Sequence, residues 1–125
     1  MGTFTVAVEI GDPQGRAFER TDAWVDTGGF YSSLPRPLLE SLGVGRHRRE
    51  TFMLADGRIT ENDAGLTWIR IGDRSVVTLI LFGEPGSPPV LGGYALEGLA
   101  LAVDPVNHRL VPMEYLPRFA LAGVV

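Results

Sequence analysis

The chain of 125 residues contains neither cysteine nor lysine, and each absence excludes a class of chemistry. Without cysteine there is no disulfide, no thiolate nucleophile and no cysteine metal site. Without lysine there is no Schiff-base amine and no Walker-type phosphate loop, because both depend on a lysine side chain. All eleven basic residues are therefore arginine, a bias that we attribute to genome composition rather than to function.

Histidine, excess charge and long apolar runs are also scarce. The two histidines, His47 and His108, stand far apart in polar surroundings, so neither predicts a metal site. No apolar run approaches the roughly 20 residues of a membrane span, and the N-terminal sequence lacks the features of a signal peptide. We therefore expect a cytoplasmic protein. Its net charge of −4 argues against nucleic acid or a membrane as the main partner.

Glycine and proline are by contrast abundant, with sixteen and nine residues. These numbers favour a compact, mostly antiparallel β domain with many tight turns. Start and stop signals predict a short helix over 35–44, and a second short helix is predicted over 94–99. Residues 1–125 are taken as one domain. Strands are predicted over 3–10, 16–25, 51–54, 58–60, 66–71, 74–82, 99–104 and 110–116, with a polar loop at 45–50.

Two separated segments carry the candidate chemistry. In the first, the apolar run Ala23-Trp24-Val25 leads into Asp26-Thr27-Gly28, and Ser33-Leu34-Pro35 and a helix follow. The second is Val90-Leu91-Gly92, which also precedes a helix. Between them, Ala55-Asp56-Gly57 predicts a hairpin turn. In this order the segments resemble the retropepsin-like aspartic proteases, in particular the single-domain bacterial relatives of the retroviral enzymes, over nearly the whole chain.

The resemblance implies a small closed antiparallel β-barrel with a flap hairpin and one or two short helices. It also implies an aspartic endopeptidase that acts as a homodimer on a peptide or protein substrate, without a metal or organic cofactor. The implied catalytic residues are Asp26 for its carboxylate, Thr27 for a hydroxyl that bonds across the dimer axis, and Gly28 for a backbone N–H near the carboxylate. The implied substrate-binding residues are Gly29 and Phe30 beside the motif, and Ala55, Asp56 and Gly57 at the flap tip.

This chemistry requires a pair of carboxylates. Two carboxylates about 3 Å apart share one proton, since like charges that close cannot both ionise. The ionised carboxylate acts as a general base on water, and the protonated one polarises the scissile carbonyl. The chain has a single Asp-Thr-Gly, so the second carboxylate must come from a second copy, and the monomer is predicted to be inactive.

Two positions depart from the family pattern. Gly29 stands where alanine or serine is more common in the family. Gly93-Tyr94 stand where retroviral members often have arginine and a polar residue. The ion pair by which that arginine helps to fix the dimer cannot form from position 93.

Aromatic side chains near the motif have two expected roles. Trp24 and Trp68 are assigned to the core rather than to a binding surface, and Trp24 is expected to anchor the end of its strand together with Val25. Phe30 and Tyr31, which follow the motif, are expected to line substrate pockets.

Simpler readings of the same residues stay open at this point. Asp26 could be an Asx-turn residue that ends a strand, with Thr27 and Gly28 as ordinary turn formers. Ala55-Asp56-Gly57 could be a hairpin turn without a role in binding. The chain as a whole could be a catalytically inactive retropepsin-like module for dimerisation or peptide binding.

Overall fold

The computed structural model describes residues 4–53 and 56–113, and strands make up 54% of them. This confirms the expectation of a mostly β protein with two short helices. In chain order the elements are β1 (Thr5–Gly11), β2 (Phe18–Val25), β3 (Ser32–Pro35), α1 (Arg36–Ser41), β4 (Arg48–Met53), β5 (Ile59–Ile71), β6 (Arg74–Gly83), β7 (Val90–Leu91), α2 (Gly93–Gly98), β8 (Leu101–Asp104) and β9 (Arg109–Pro112).

Seven of these strands form one sheet in the order β1-β2-β7-β3-β6-β5-β4. A further pairing of β1 with β5 brings the sheet back to its first strand, so six strands form a ring and β4 lies outside it against β5. The remaining two strands, β8 and β9, form a separate antiparallel hairpin.

Most strand pairings are antiparallel, as predicted, but two of them are parallel and depart from the antiparallel barrel that the resemblance implied. β2 pairs with β7 in parallel, and β3 pairs with β6 in parallel. Parallel neighbours need a long crossover connection, and the chain between β2 and β7 contains most of the other strands. Turn signals in the sequence indicate only hairpins between consecutive strands, so they could not reveal these pairings.

The turn between β1 and β2 is set by local side-chain chemistry. Asp12 accepts hydrogen bonds at Oδ1 from the backbone N–H of Arg16 at 2.7 Å and of Ala17 at 3.1 Å. These donors, Ala17 first, hold the pKa of the Asp12 carboxyl below its usual range, because they favour the ionised form. Gly15 supplies the positive φ that the turn requires. The hairpin predicted at this place is therefore confirmed.

Strand alternation decides where the residues before the motif point. Ala23 and Val25 are buried in the core, as their apolar character predicts. Trp24 points to the opposite face and is 44% exposed, so its assignment to the core is wrong. Successive side chains of a strand face opposite sides, and a residue between two buried ones must point outward. Trp68 on β5 is half-buried rather than fully enclosed.

One hydrophobic cluster joins the strands of the ring to both helices. Leu39 connects α1 to this core, and Ala95 and Leu96 connect α2. The buried hydroxyl of Thr67 is satisfied, since it donates to the carbonyl of Gly11. The largest apolar side chains that are fully buried in the cluster are Ile10, Leu34, Leu39, Ile69, Ile80, Phe82 and Leu91.

The region from residue 45 to 71 differs most from its prediction. β4 begins at Arg48, inside the stretch predicted as a polar loop, and β5 is one strand of 13 residues where two short strands were predicted. Residues 60–63 of β5 are polar, but they pair with β4, and β5 continues from Ala64 onward as the partner of β6. Neighbouring strands rather than its own apolar pattern keep it extended.

The remaining elements are short. β9 ends at Pro112, and the end of the strand predicted over 110–116 lies outside the described residues. Both helices have six residues. Over residues 4–53 and 56–113 we find no helix with the length and apolar character needed to cross a membrane.

Candidate active site

Asp26 occupies the first position after β2, where the chain leaves the core. Its backbone N–H donates to the carbonyl of Leu91 at 2.9 Å, which continues the parallel pairing of β2 with β7 by one residue. Its carboxylate oxygen Oδ1 accepts the N–H of Gly28 at 3.0 Å. The Asp26 side chain is half-buried, while Thr27 and Gly28 are exposed. The carboxylate is therefore oriented by the backbone and still accessible from solvent.

The loop after Asp26 is held by the second segment of the motif. Gly93 donates its N–H to the carbonyl of Gly29 at 2.8 Å, and Tyr94 donates to the carbonyl of Phe30 at 2.9 Å. With the Asp26–Leu91 bond these contacts fasten the loop at successive positions. A long-range backbone ladder thus fixes the direction in which the carboxylate leaves the core.

Gly92 is the residue of this segment that leaves no room for a side chain. A Cβ placed on it would lie 2.5 Å from the carbonyl oxygen of Tyr31 and 2.9 Å from that of Phe30. Contacts under 3 Å to backbone atoms cannot be relieved by a rotamer change, so the loop would have to move away. The sequence Val90-Leu91-Gly92 ends in glycine because the two backbones touch there.

Ser32 is a supporting residue that the sequence analysis missed. It is buried at the start of β3, and its Oγ accepts the N–H of Gly92 at 2.9 Å. This bond satisfies the Gly92 N–H, and losing its acceptor would lower the free energy of unfolding. The available signal was a small hydroxyl residue two positions before the apolar Leu34, on the same face of the strand. That pattern is too common to single out one residue.

A groove of about 290 Å³ opens beside the loop. Gly28, Gly29 and Phe30, which the sequence analysis assigned to catalysis or substrate binding, are among its lining residues. Its other lining residues are Tyr31, Phe52 and Leu81, so most of its wall is apolar or aromatic. Phe52 and Leu81 were not among the predicted site residues, because β4 and β6 reach this place only through the fold.

Aromatic contacts connect the groove to its surroundings. Tyr31 meets Phe52 of β4 edge to face, with ring centroids 5.7 Å apart. On the other side Tyr31 meets Tyr94 edge to face at 5.4 Å, and Tyr94 stacks on Phe30 at 5.5 Å. Such geometries are the favoured ones for aromatic rings. They give four rings, from Phe30 to Phe52, that border the loop carrying Asp26.

The hairpin between the two motif segments is present, formed by β4 and β5. Its end carries Asp56 and Gly57, both exposed, and Gly57 has a φ of +87°. Asp56 accepts the backbone N–H of Arg58 at 3.0 Å and its guanidinium at 2.6 Å. These bonds, the backbone one first, hold the pKa of Asp56 below its usual range. Ala55, the other predicted flap residue, lies outside the described residues.

The sequence analysis predicted neither a metal nor an organic cofactor for this site. Within the described ranges, no group of three or more histidine, aspartate or glutamate side chains is placed to hold a metal ion. A half-exposed carboxylate with one backbone donor can accept a proton from water or bind a polar group, and a second carboxylate beside it would allow acid–base chemistry.

No family model matches the chain, and no curated protein matches it either.

Proposed function

We propose that this chain is a retropepsin-like aspartic endopeptidase that works as a homodimer. The observation that carries the proposal is the placement of Asp26. Its carboxylate stands at the end of a buried strand, is oriented by the Gly28 N–H, and remains accessible. An aspartate that only ended a strand would need the Gly28 bond but not the further ladder to Gly93 and Tyr94.

The reaction uses the Asp26 carboxylates of two copies. When the two lie close together, one is ionised and the other protonated, and they share that proton. The ionised carboxylate takes a proton from water as the water oxygen attacks the peptide carbonyl, and the other carboxyl gives its proton to the carbonyl oxygen, which forms a gem-diol. When the diol collapses, one of its hydroxyl groups gives its proton to the ionised carboxylate, the protonated carboxyl gives its proton to the nitrogen, and the C–N bond breaks to release the amine.

The groove provides a place for the substrate. An extended peptide would lie past the Gly28 and Gly29 backbone, with an apolar side chain between Phe30, Phe52 and Leu81. The β4–β5 hairpin, which reaches the loop through Phe52 and Tyr31, would close over it. The cytoplasm remains the compartment in which we expect the protein.

A second candidate is a peptide-binding or dimerisation module without catalysis. One observation favours it: the groove is lined by glycine backbone, aromatic rings and Leu81, and Asp26 is not part of its lining. Such a surface can bind an extended apolar peptide without any carboxylate. Turnover therefore has to be tested directly.

The deciding experiment is cleavage of a mixed peptide library between acid and neutral pH at several protein concentrations. Wild type is compared with Asp26→Asn and with Asp73→Asn, which changes an exposed aspartate in the β5–β6 turn in the same way. We expect Asp26→Asn to abolish cleavage and Asp73→Asn to leave it unchanged. We also expect the specific activity of the wild type to rise with concentration, because two copies form one site.

Two results would contradict the protease. One is cleavage by Asp26→Asn at the wild-type rate. The other is no cleavage by a wild-type dimer that binds peptides, which is the result expected of the binding module.

A further inference from the structure

Phe30 and Tyr94, which we call the aromatic pair, are an exposed apolar feature beside the candidate site. Phe30 is 68% exposed and Tyr94 is 48% exposed, yet their rings stack on each other at 5.5 Å. The Tyr94 N–H bond to the Phe30 carbonyl fixes the two backbones relative to each other. Two large rings are therefore held in one orientation at the surface, so little side-chain freedom remains to be lost on binding.

The two stretches of chain that carry the aromatic pair contain no charged side chain. Residues 27–35 and 85–96 contain no acidic, basic or histidine side chain, although 21% of the chain is charged. Backbone bonds from Gly93 to Gly29 and from Tyr94 to Phe30 join the two stretches into one surface. Aromatic enrichment with depletion of charge is what distinguishes the central part of a protein–protein interface from ordinary surface.

We propose that the aromatic pair is the contact by which a second copy of this chain docks. The inference rests on the proposed function, because a single Asp26 per chain requires another Asp26 beside it. A two-fold axis that brings the two carboxylates together also brings the surfaces flanking them together. Phe30 lies four residues after Asp26, and Tyr94 is the second residue of α2, whose first turn holds the same loop, so both rings would flank that axis.

The first test measures the dissociation constant of the dimer by sedimentation equilibrium. Phe30→Ser and Tyr94→Ser each remove one ring, and Tyr94→Phe keeps the ring. Val106→Ser is the control, since Val106 is an apolar side chain that is 84% exposed on the β8–β9 turn. We expect each ring deletion to raise the dissociation constant at least about tenfold, as for an interface hot spot, and Tyr94→Phe and Val106→Ser to change it less than about twofold.

The second test needs no mutation, so it holds even where a variant fails to fold. Hydroxyl-radical oxidation of Phe30, Tyr94 and Val106 is measured by mass spectrometry across the concentration range in which the wild type associates. We expect the two rings to become protected as the dimer forms and Val106 to stay equally reactive. Equal oxidation of both rings in monomer and dimer would overturn the inference.

Other outcomes separate this inference from the protease. Folded ring variants that dimerise as the wild type does would overturn the inference, whether or not they bind peptide more weakly. A dimer that depends on both rings but never cleaves peptides sinks the protease and keeps the interface. If cleavage needs Asp26 but the dimer forms equally well without the rings, the protease is supported and the proposed interface is wrong. A wild type that stays monomeric overturns both.

Discussion

The two parts that border the groove are built in opposite ways. The loop from Asp26 to Ser32 is held by four hydrogen bonds to residues 91–94, far away in sequence, and it contains no charged residue after Asp26. The β4–β5 hairpin is held by neighbours in sequence, and its end is polar, exposed and closed by contacts between Asp56 and Arg58. One side of the site is therefore fixed by tertiary structure and the other by local turn chemistry.

The two sides of the groove are suited to different roles, one to fixed positioning and the other to movement. In the proposed homodimer, Asp26 would have to be placed accurately to meet its counterpart, and a rigid ladder of backbone bonds could do that. A hairpin that must admit and enclose a substrate has to move, and an exposed turn with few buried contacts can do so. The predictions below test whether the two sides really respond differently, from the largest expected effect to the smallest.

Gly92→Ala is expected to have the largest effect on the fixed side. The added methyl group meets the carbonyl oxygen of Tyr31 at 2.5 Å, so the loop carrying Asp26 must shift. We expect a loss of about 1–3 kcal/mol in the free energy of unfolding, as for an overpacked site, together with loss of cleavage. Urea titration and the peptide-library assay measure the two effects.

Gly45→Ala is the matched control for that variant. Nothing lies within 4 Å of a Cβ built at Gly45, and its φ is not positive. Its unfolding midpoint should therefore equal that of the wild type. Equal stability and activity in Gly92→Ala and Gly45→Ala would show that the loop is not wedged against β7 as described.

Ser32→Ala is expected to have a smaller effect on the same side. It removes the oxygen that accepts the Gly92 N–H and leaves that donor buried without this acceptor. The expected cost is about 1 kcal/mol in the free energy of unfolding, at the low end of the range for a buried donor that loses its acceptor. Ser75→Ala, at an exposed position of β6, is the control and should be neutral. If both variants unfold at the same urea concentration, the Ser32 bond does not stabilise the loop.

The pH response of the hairpin turn should be the smallest of the effects. Hydrogen bonds from Arg58 lower the pKa of Asp56 below its ordinary value of 3.8, so they stabilise the turn fully above that pH. The stabilisation is lost as the pH falls through the lowered pKa of the folded state. We expect the amides of Gly57 and Arg58 to exchange faster with solvent there, without a measurable change in the melting temperature, because the pair is exposed.

Asp56→Asn serves as the control for the pH response. Asparagine does not titrate in this pH range, so the protection of the Gly57 and Arg58 amides should show no step with pH. A step that persists in this variant would assign the transition to another carboxyl. Amide exchange followed by NMR between pH 6 and about 2 gives both results.

Local sequence signals predicted the elements well where neighbours in the chain form the structure. Asp12 and Gly15 mark the first turn, Asp56 and Gly57 the second, and Pro35 and Gly43 bracket the first helix, as the structure confirms. The long β5 was predicted as two pieces because its polar residues 60–63 have no strand pattern of their own. Its extended form depends on its pairing with β4 and β6.

For the candidate site too, the residues of a local turn could be predicted from sequence, and those contributed by other strands could not. Asp26, Gly28 and Gly29 were found because a turn after an apolar strand is visible in sequence. Phe52, Leu81 and the support from Ser32 were missed because they come from other strands. Trp24 was assigned to the core from its size, whereas the two buried residues beside it force it outward.

By itself the sequence determined the mostly β character, the turns, the two short helices and the position of a carboxylate at the end of a buried strand. Those features depend on backbone preferences and alternation over a few residues. Only the tertiary structure decided that β7 lies between β2 and β3, that Gly92 touches the loop, and that four aromatic rings contact one another beside that loop. The reason is that packing brings together residues from distant parts of the chain, and no short stretch of sequence encodes its partner.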